Sequence, residues 1–200
     1  VSLDGAMLDM TNINSYSAMA CAIKTNYNLY IDGGAIGIYA PNSVTLSGTS
    51  TAVGVTGISA NYIETSASMG LQVSGNAISS VTKTYINGGT LDIVVKKNDT
   101  CGINAKEISI AQGTLNFSGE SEGFANYGLY ATDKITISGG TVNVDFGKFS
   151  YAMSSEADIA ISGGVVNVES YRGIHASYGN LNISGGTINV STSSNALYAG

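Results

Sequence analysis

Apolar and polar residues alternate along the second half of the chain in a unit that returns at nearly constant spacing. Ile135-Thr-Ile-Ser-Gly-Gly-Thr-Val-Asn-Val144, Ile159-Ala-Ile-Ser-Gly-Gly-Val-Val-Asn-Val168 and Leu181-Asn-Ile-Ser-Gly-Gly-Thr-Ile-Asn-Val190 are copies of it. Ile108-Ser-Ile-Ala-Gln-Gly-Thr-Leu-Asn-Phe117 is a fourth copy, and Thr84–Ile93 and Leu29–Ile38 are looser ones. The turn falls at residues 88, 112, 139, 163 and 185, in steps of 24, 27, 24 and 22. A second motif precedes each unit: Gly102-Ile-Asn-Ala105, Gly128-Leu-Tyr-Ala131, Ala152-Met-Ser-Ser155, Gly173-Ile-His-Ala176 and Ala196-Leu-Tyr-Ala199.

Each piece alternates with period two, which puts its apolar side chains on one face of a strand. The Gly-Gly pair supplies a corner of positive φ between the first two strands. No segment carries a useful helical stripe. Three short strands and their turns fill each repeat, and one repeat cannot bury its apolar face alone. Stacking repeats about 4.8 Å apart makes that face a continuous core. The pattern predicts an all-β fold: a single-stranded, right-handed parallel β-helix of seven to eight coils, about 24 residues and three strands per coil. An antiparallel sandwich is the alternative, but hairpins do not need so regular a repeat.

The chain reads as one domain over residues 1–200, with regular coils at 84–200 and irregular coils at 1–83. The 55 residues from 33 to 88 leave room for two further units, one of them on Val44–Gly48. Residues 49–83 predict looser coils or a protruding loop. Asn195–Gly200 begin another repeat and stop inside it. A bare coil exposes strand edge and apolar cross-section, so further domains of a longer chain, or a second chain, are expected to cover it.

Composition narrows the function classes. Charged residues are 11%, net charge is -6, and 26 of 200 residues are glycine. Stacked identical positions would set like charges about 4.8 Å apart, so neutral residues fill such columns. An acidic chain with few Lys and Arg argues against nucleic acid, whose phosphates need them. No run of about 18 apolar residues is present to insert in a membrane as a helix.

Repeat positions become columns of side chains. Asp92, Asn116, Asn143, Asn167 and Asn189 form one column, with Thr90, Thr114, Thr141, Val165 and Thr187 two residues earlier. It reads as an amide ladder bonding coil to coil or as a flat polar strip for sugar hydroxyls. On the third strand, one column holds Asn104, Tyr130, Ser154, His175 and Tyr198, and another Cys101, Tyr127, Tyr151, Arg172 and Asn195. Outward-facing Tyr151 and Arg172 on adjacent coils predict a cation–π contact, and aromatic faces beside polar groups suit pyranose rings. Glu107, Lys134, Asp158 and Asn180 predict a surface charge ladder worth little per pair. Cys21 and Cys101 lie about three coils apart, beyond disulfide reach, and are expected to be free thiols.

Acids are few, 14 in all, and scattered one per coil. Asp133 and Asp158, with Glu156 nearby, come nearest to a cluster. No nucleophile–base set can be assembled, so the chain is read as non-catalytic.

The ITISGGTVNV unit with a preceding Gly-Ile-His-Ala resembles the carbohydrate-binding β-helix domain of clostridial and other Firmicutes cell-surface proteins, whose fold is pectate-lyase-like. The resemblance covers about residues 84–200. It implies polysaccharide binding, a secreted or cell-surface bacterial location, and Ca²⁺. That family's step is Asp-Asp-Gly-Ile-His-Ala-Asp; here Asp99-Thr-Cys-Gly-Ile-Asn-Ala, Asn126-Tyr-Gly-Leu-Tyr-Ala-Thr-Asp133 and Tyr171-Arg-Gly-Ile-His-Ala-Ser replace the paired acids. The expected sugar-binding residues are Tyr127, Tyr130, Tyr151, Arg172, His175, Tyr198, Asn143, Asn167 and Asn189. Asp133 and Asp158 are the candidate Ca²⁺ ligands. A net negative chain without Ca²⁺ bridges favours a neutral glycan. An adhesin-like stalk and a divergent Ca²⁺-dependent polysaccharide lyase are the alternatives.

Overall fold

Period-two alternation in the sequence becomes alternation of buried and outward side chains in the structure. The computed structural model describes residues 2–4, 7–11, 21–40, 44–45, 52–53, 56–95, 100–119, 126–146 and 150–200; for 2–4, 7–11, 39–40, 44–45 and 52–53 only the backbone is described. Every regular element among these is a strand. Successive turns pair in parallel, each strand lying on its counterpart one turn away.

In one representative turn the first strand is Asp158–Ile161, the second Val165–Ser170 and the third Arg172–Ala176. The first strands stack Ile86, Ile110, Ile137, Ile161 and Ile183, five regular turns in line. The same column continues backwards through Thr65, Ile31 and Leu3, so eight levels are linked in all. Second strands stack Met69, Leu91, Leu115, Val142, Val166 and Ile188. Third strands stack Ile58, Ile78, Ile103, Leu129, Met153, Ile174 and Leu197. These columns are the core: Ile103, Leu115, Leu129, Ile137, Val142 and Ile174 are fully buried. Each such side chain contributes about 1.5–3 kcal/mol of burial. At the last level the cover ends, leaving Ile183 39% and Leu197 48% exposed.

At the regular corners 139–140, 163–164 and 185–186 the two glycines are there for different reasons. The second adopts positive φ, as at Gly140 (74°) and Gly164 (81°), a region that side chains disfavour. The first has no room: a Cβ on Gly163 would sit 2.5 Å from the Ser138 carbonyl oxygen of the turn below. At Gly33-Gly34 both glycines have positive φ.

The stretch from 33 to 88 departs from expectation. It holds one solenoid turn rather than two, built on Thr56–Thr65 and Ser68–Val73. Val44–Thr45 is not part of a stacked unit; it pairs antiparallel with Ala52–Val53 in a small separate sheet. The Val-x-Leu alternation there matches a coil strand in pattern, but it lacks the Gly-Gly corner that the real turns carry, replaced at the extra turn by Ser66-Ala67. Of the expected loop at 49–83, residues 49–51 and 54–55 lie outside the described residues, and 56–83 are stacked strand and turn. Cys21 and Cys101 are free. Cys101 is buried, and that burial pushes its thiol up to about 12.

Candidate functional site

Outward positions of the third strands carry the largest continuous set of aromatic rings. Register stacks Cys101, Tyr127, Tyr151 and Arg172 in one column and Asn104, Tyr130, Ser154, His175 and Tyr198 in the next. The two columns join because small Ser154 interrupts the second, so the run of rings crosses to Tyr151. Ring centroids are 5.0 Å apart for Tyr130–Tyr127, 4.9 Å for Tyr127–Tyr151, 5.8 Å for Tyr151–His175 and 4.3 Å for His175–Tyr198. The last pair is stacked within 8° of parallel. The three longer separations fall in the range where aromatic pairs attract, about 4.5–7 Å.

Polar groups flank the run. The Arg172 guanidinium lies 5.1 Å from the Tyr151 ring and 5.8 Å from the Tyr171 ring, and its Nη1 donates to Tyr151 Oη at 2.7 Å. Its Nε is buried without an acceptor. The middle of the run is therefore flanked by a cation. At the Tyr130 end, Tyr130 Oη donates to Glu156 Oε1 at 2.5 Å. Burial and this carboxylate together push the Tyr130 phenol well above its ordinary value. Partial burial, then the nearby Arg172 charge, hold His175 below its usual range, so its ring is neutral at pH 7 and bonds Ser177 through Nδ1.

The second-strand column is an unbroken ladder. Asn189, Asn167, Asn143 and Asn116 each donate Nδ2 to the side-chain oxygen one turn below, at 2.8, 2.8, 2.8 and 2.7 Å, ending on Asp92. Asn143, Asn167 and Asn189 also line an open groove edged by Asp145, Glu169 and Ser191. Within the ladder Asn116, Asn143 and Asn167 each spend one donor and one acceptor and Asn189 one donor, and the remaining capacity of each is what a ligand in this groove would use.

Asp133 and Asp158 are not drawn together. Lys134, not Asp133, stands opposite Asp158 in the register. Asp158 Oδ1 accepts from Asn180 N at 2.8 Å and Nδ2 at 3.3 Å, while Asp133 lies 4.0 Å from Lys106 Nζ. Ca²⁺ takes six to eight oxygens, and among the described residues no three His, Cys, Asp or Glu side chains converge. The charge column Glu107–Lys134–Asp158 is stacked as expected.

One cluster escaped the sequence reading. Three successive first strands present Asn28, Tyr30 and Asp32, then Tyr62, Glu64 and Ser66, then Lys83, Tyr85 and Asn87 outward, with Tyr62 set opposite Asn28 and Lys83, and Glu64 opposite Tyr30 and Tyr85. Tyr30 and Tyr62 rings are 5.9 Å apart, and Lys83 Nζ lies 5.7 Å from the Tyr85 centroid. The signal was present as an aromatic at alternate first-strand positions, but the spacing from Tyr30 to Glu64 is 34 residues, outside the 22–27 period used to align columns.

No family model, curated protein or solved structure matches the chain.

Proposed function

We propose that the chain is a non-catalytic carbohydrate-binding module of a secreted or cell-surface bacterial protein, with the third-strand face as its platform for polysaccharide. The observation that carries this reading is the run Tyr130–Tyr127–Tyr151–His175–Tyr198, held on the solenoid with Arg172 beside Tyr151 in its middle and Glu156 at the Tyr130 end. Rings fixed at strand positions lose little entropy on binding, and a pyranose presents an apolar C–H face to them while its hydroxyls reach the flanking polar groups. The groove beside Asn143, Asn167 and Asn189 extends the polar surface on the second strand.

A polysaccharide pull-down with plant and cell-wall polymers, with and without EDTA, tests it. Retention that is lost in Tyr130→Ala and Tyr198→Ala supports the platform; loss on EDTA alone would bring Ca²⁺ into the binding. An intact chain retained by no polymer refutes the reading and favours the adhesin-like stalk, for which the internally bonded Asn ladder is the supporting observation. Release of unsaturated uronate in the presence of Ca²⁺ would instead make the chain a lyase.

A further inference from the structure

We propose that the first-strand face holds a second, separate saccharide site that selects a protonated amino sugar. Within the grid lies a cavity of about 330 Å³ lined by Tyr30, Ile31, Asp32, Glu64, Thr65, Ser66 and Asn87, with Tyr62 and Tyr85 outside its lining. That volume is at the small end of ligand pockets and suits a single sugar ring. Glu64 is the centre of the grid, with Tyr30 one turn below it and Tyr85 one turn above. A carboxylate bracketed by tyrosines is matched by a ligand with a cationic group and an apolar ring edge.

Both carboxylates are held in place before any ligand arrives. Tyr62 Oη donates to Glu64 Oε2 at 3.0 Å. Ser66 Oγ accepts from Gly33 N at 3.1 Å and therefore turns its proton to Asp32 Oδ1, at 2.5 Å. Each acid keeps a second oxygen outside these bonds, and such fixed acceptors cost little reorganisation when an ammonium binds. Lys83 is the cation within the grid, and it sits against the Tyr85 ring rather than on either acid, which leaves the grid's charge negative. Asn87, which lines the cavity, stands at its margin to meet hydroxyls. This site lies on a different strand of the turn from the Tyr127–Tyr198 platform and is independent of it.

Calorimetric titration of the whole chain with a glucosamine trimer, its fully N-acetylated counterpart and trilysine, at pH 6 and low salt, tests the assignment. The glucosamine trimer is expected to bind, at least about tenfold more tightly than the N-acetylated trimer, and to weaken as salt rises. Glu64→Gln, which still accepts from Tyr62, and Asp32→Asn should each weaken it about tenfold with an unchanged circular dichroism spectrum; two variants keep the test open if one fails to fold. The effect of Glu64→Gln should persist in the Tyr130→Ala background, where the platform is disabled, so failure of the platform reading and failure of this one are told apart. Equal affinity for the N-acetylated trimer, or no effect of either acid variant, overturns the role of charge. Trilysine binding as tightly as the amino sugar overturns the sugar.

Discussion

Replacing Asn143 by alanine breaks the amide ladder in its middle. Asn143 both donates to Asn116 Oδ1 and accepts from Asn167 Nδ2, each at 2.8 Å, so the substitution removes two bonds and orphans one acceptor and one donor. A hydrogen bond contributes about 0.5–1.5 kcal/mol net. Asn143 and its neighbour Asn167 are half-buried, so water recovers part of the loss, and the expected cost is about 1–2 kcal/mol. Asn189→Ala at the exposed end removes a single bond and should cost about 0.5 kcal/mol. Urea unfolding measures both, provided the slope is unchanged so that the midpoint reports stability. Because each turn is coupled chiefly to its neighbours, amide hydrogen exchange should quicken most at the levels of Asn116 and Asn167. If Asn143→Ala costs no more than Asn189→Ala, the ladder is a packing coincidence and the reasoning fails.

Gly164→Ala forces a side chain onto positive φ and sets its Cβ 2.7 Å from the Gly140 carbonyl oxygen; a loss of at least about 1–3 kcal/mol is expected in the same unfolding assay. Cys101 should resist thiol reagents at pH 8 while half-buried Cys21 reacts first, as read by mass-resolved labelling. The unfolded thiol ionises near 9 and the folded one near 12. Above pH 9 the unfolded chain therefore binds fewer protons than the folded one, and stability falls by about 1.4 kcal/mol per pH unit until pH 12. Cys101→Ala should remove that portion of the alkaline slope, leaving the parts due to Cys21, Tyr130 and Tyr62, the last of which burial and Glu64 push up to about 12. His175 is the sole histidine, so one NMR titration reads it directly, and its midpoint should lie below 6.5. In that window the unfolded chain binds more protons, so His175 takes stability away as pH falls below 6.5; a midpoint above 6.5 contradicts the burial and Arg172 effects invoked.

What could be read from the chain alone was whatever repeated. The Asn column and the Gly-Gly corners recur at 22–27 residues and the third-strand columns at 21–26, and the structure stacks each of them in the expected register. The Arg172–Tyr151 contact followed from the same alignment. Geometry beyond register did not. Asp133 and Asp158 are near in the alignment, yet a one-residue offset hands the facing position to Lys134. Between residues 33 and 88 an inserted stretch lengthens one turn, so Tyr30, Glu64 and Tyr85 share a column that no constant period reveals. Polar residues in core columns obscured the same region: Thr84 replaces the isoleucine of later turns and is buried by bonding Ser80 at 2.9 Å, while Thr65 accepts from Ala67 N at 3.0 Å.

The amide ladder also has a direction. Every Nδ2 points toward the beginning of the chain and every Oδ1 toward its end, and the column stops on Asp92. Turning one amide alone would set donor against donor on one side and oxygen against oxygen on the other. The column therefore has two arrangements, all one way or all the other, and a carboxylate at its foot can only accept. Asp92 selects the first. Below it stand Gly70 and Gly37, which carry no side chain to answer it. A single acidic residue thus sets the polarity of four others, and Asp92→Asn would free the column to reverse.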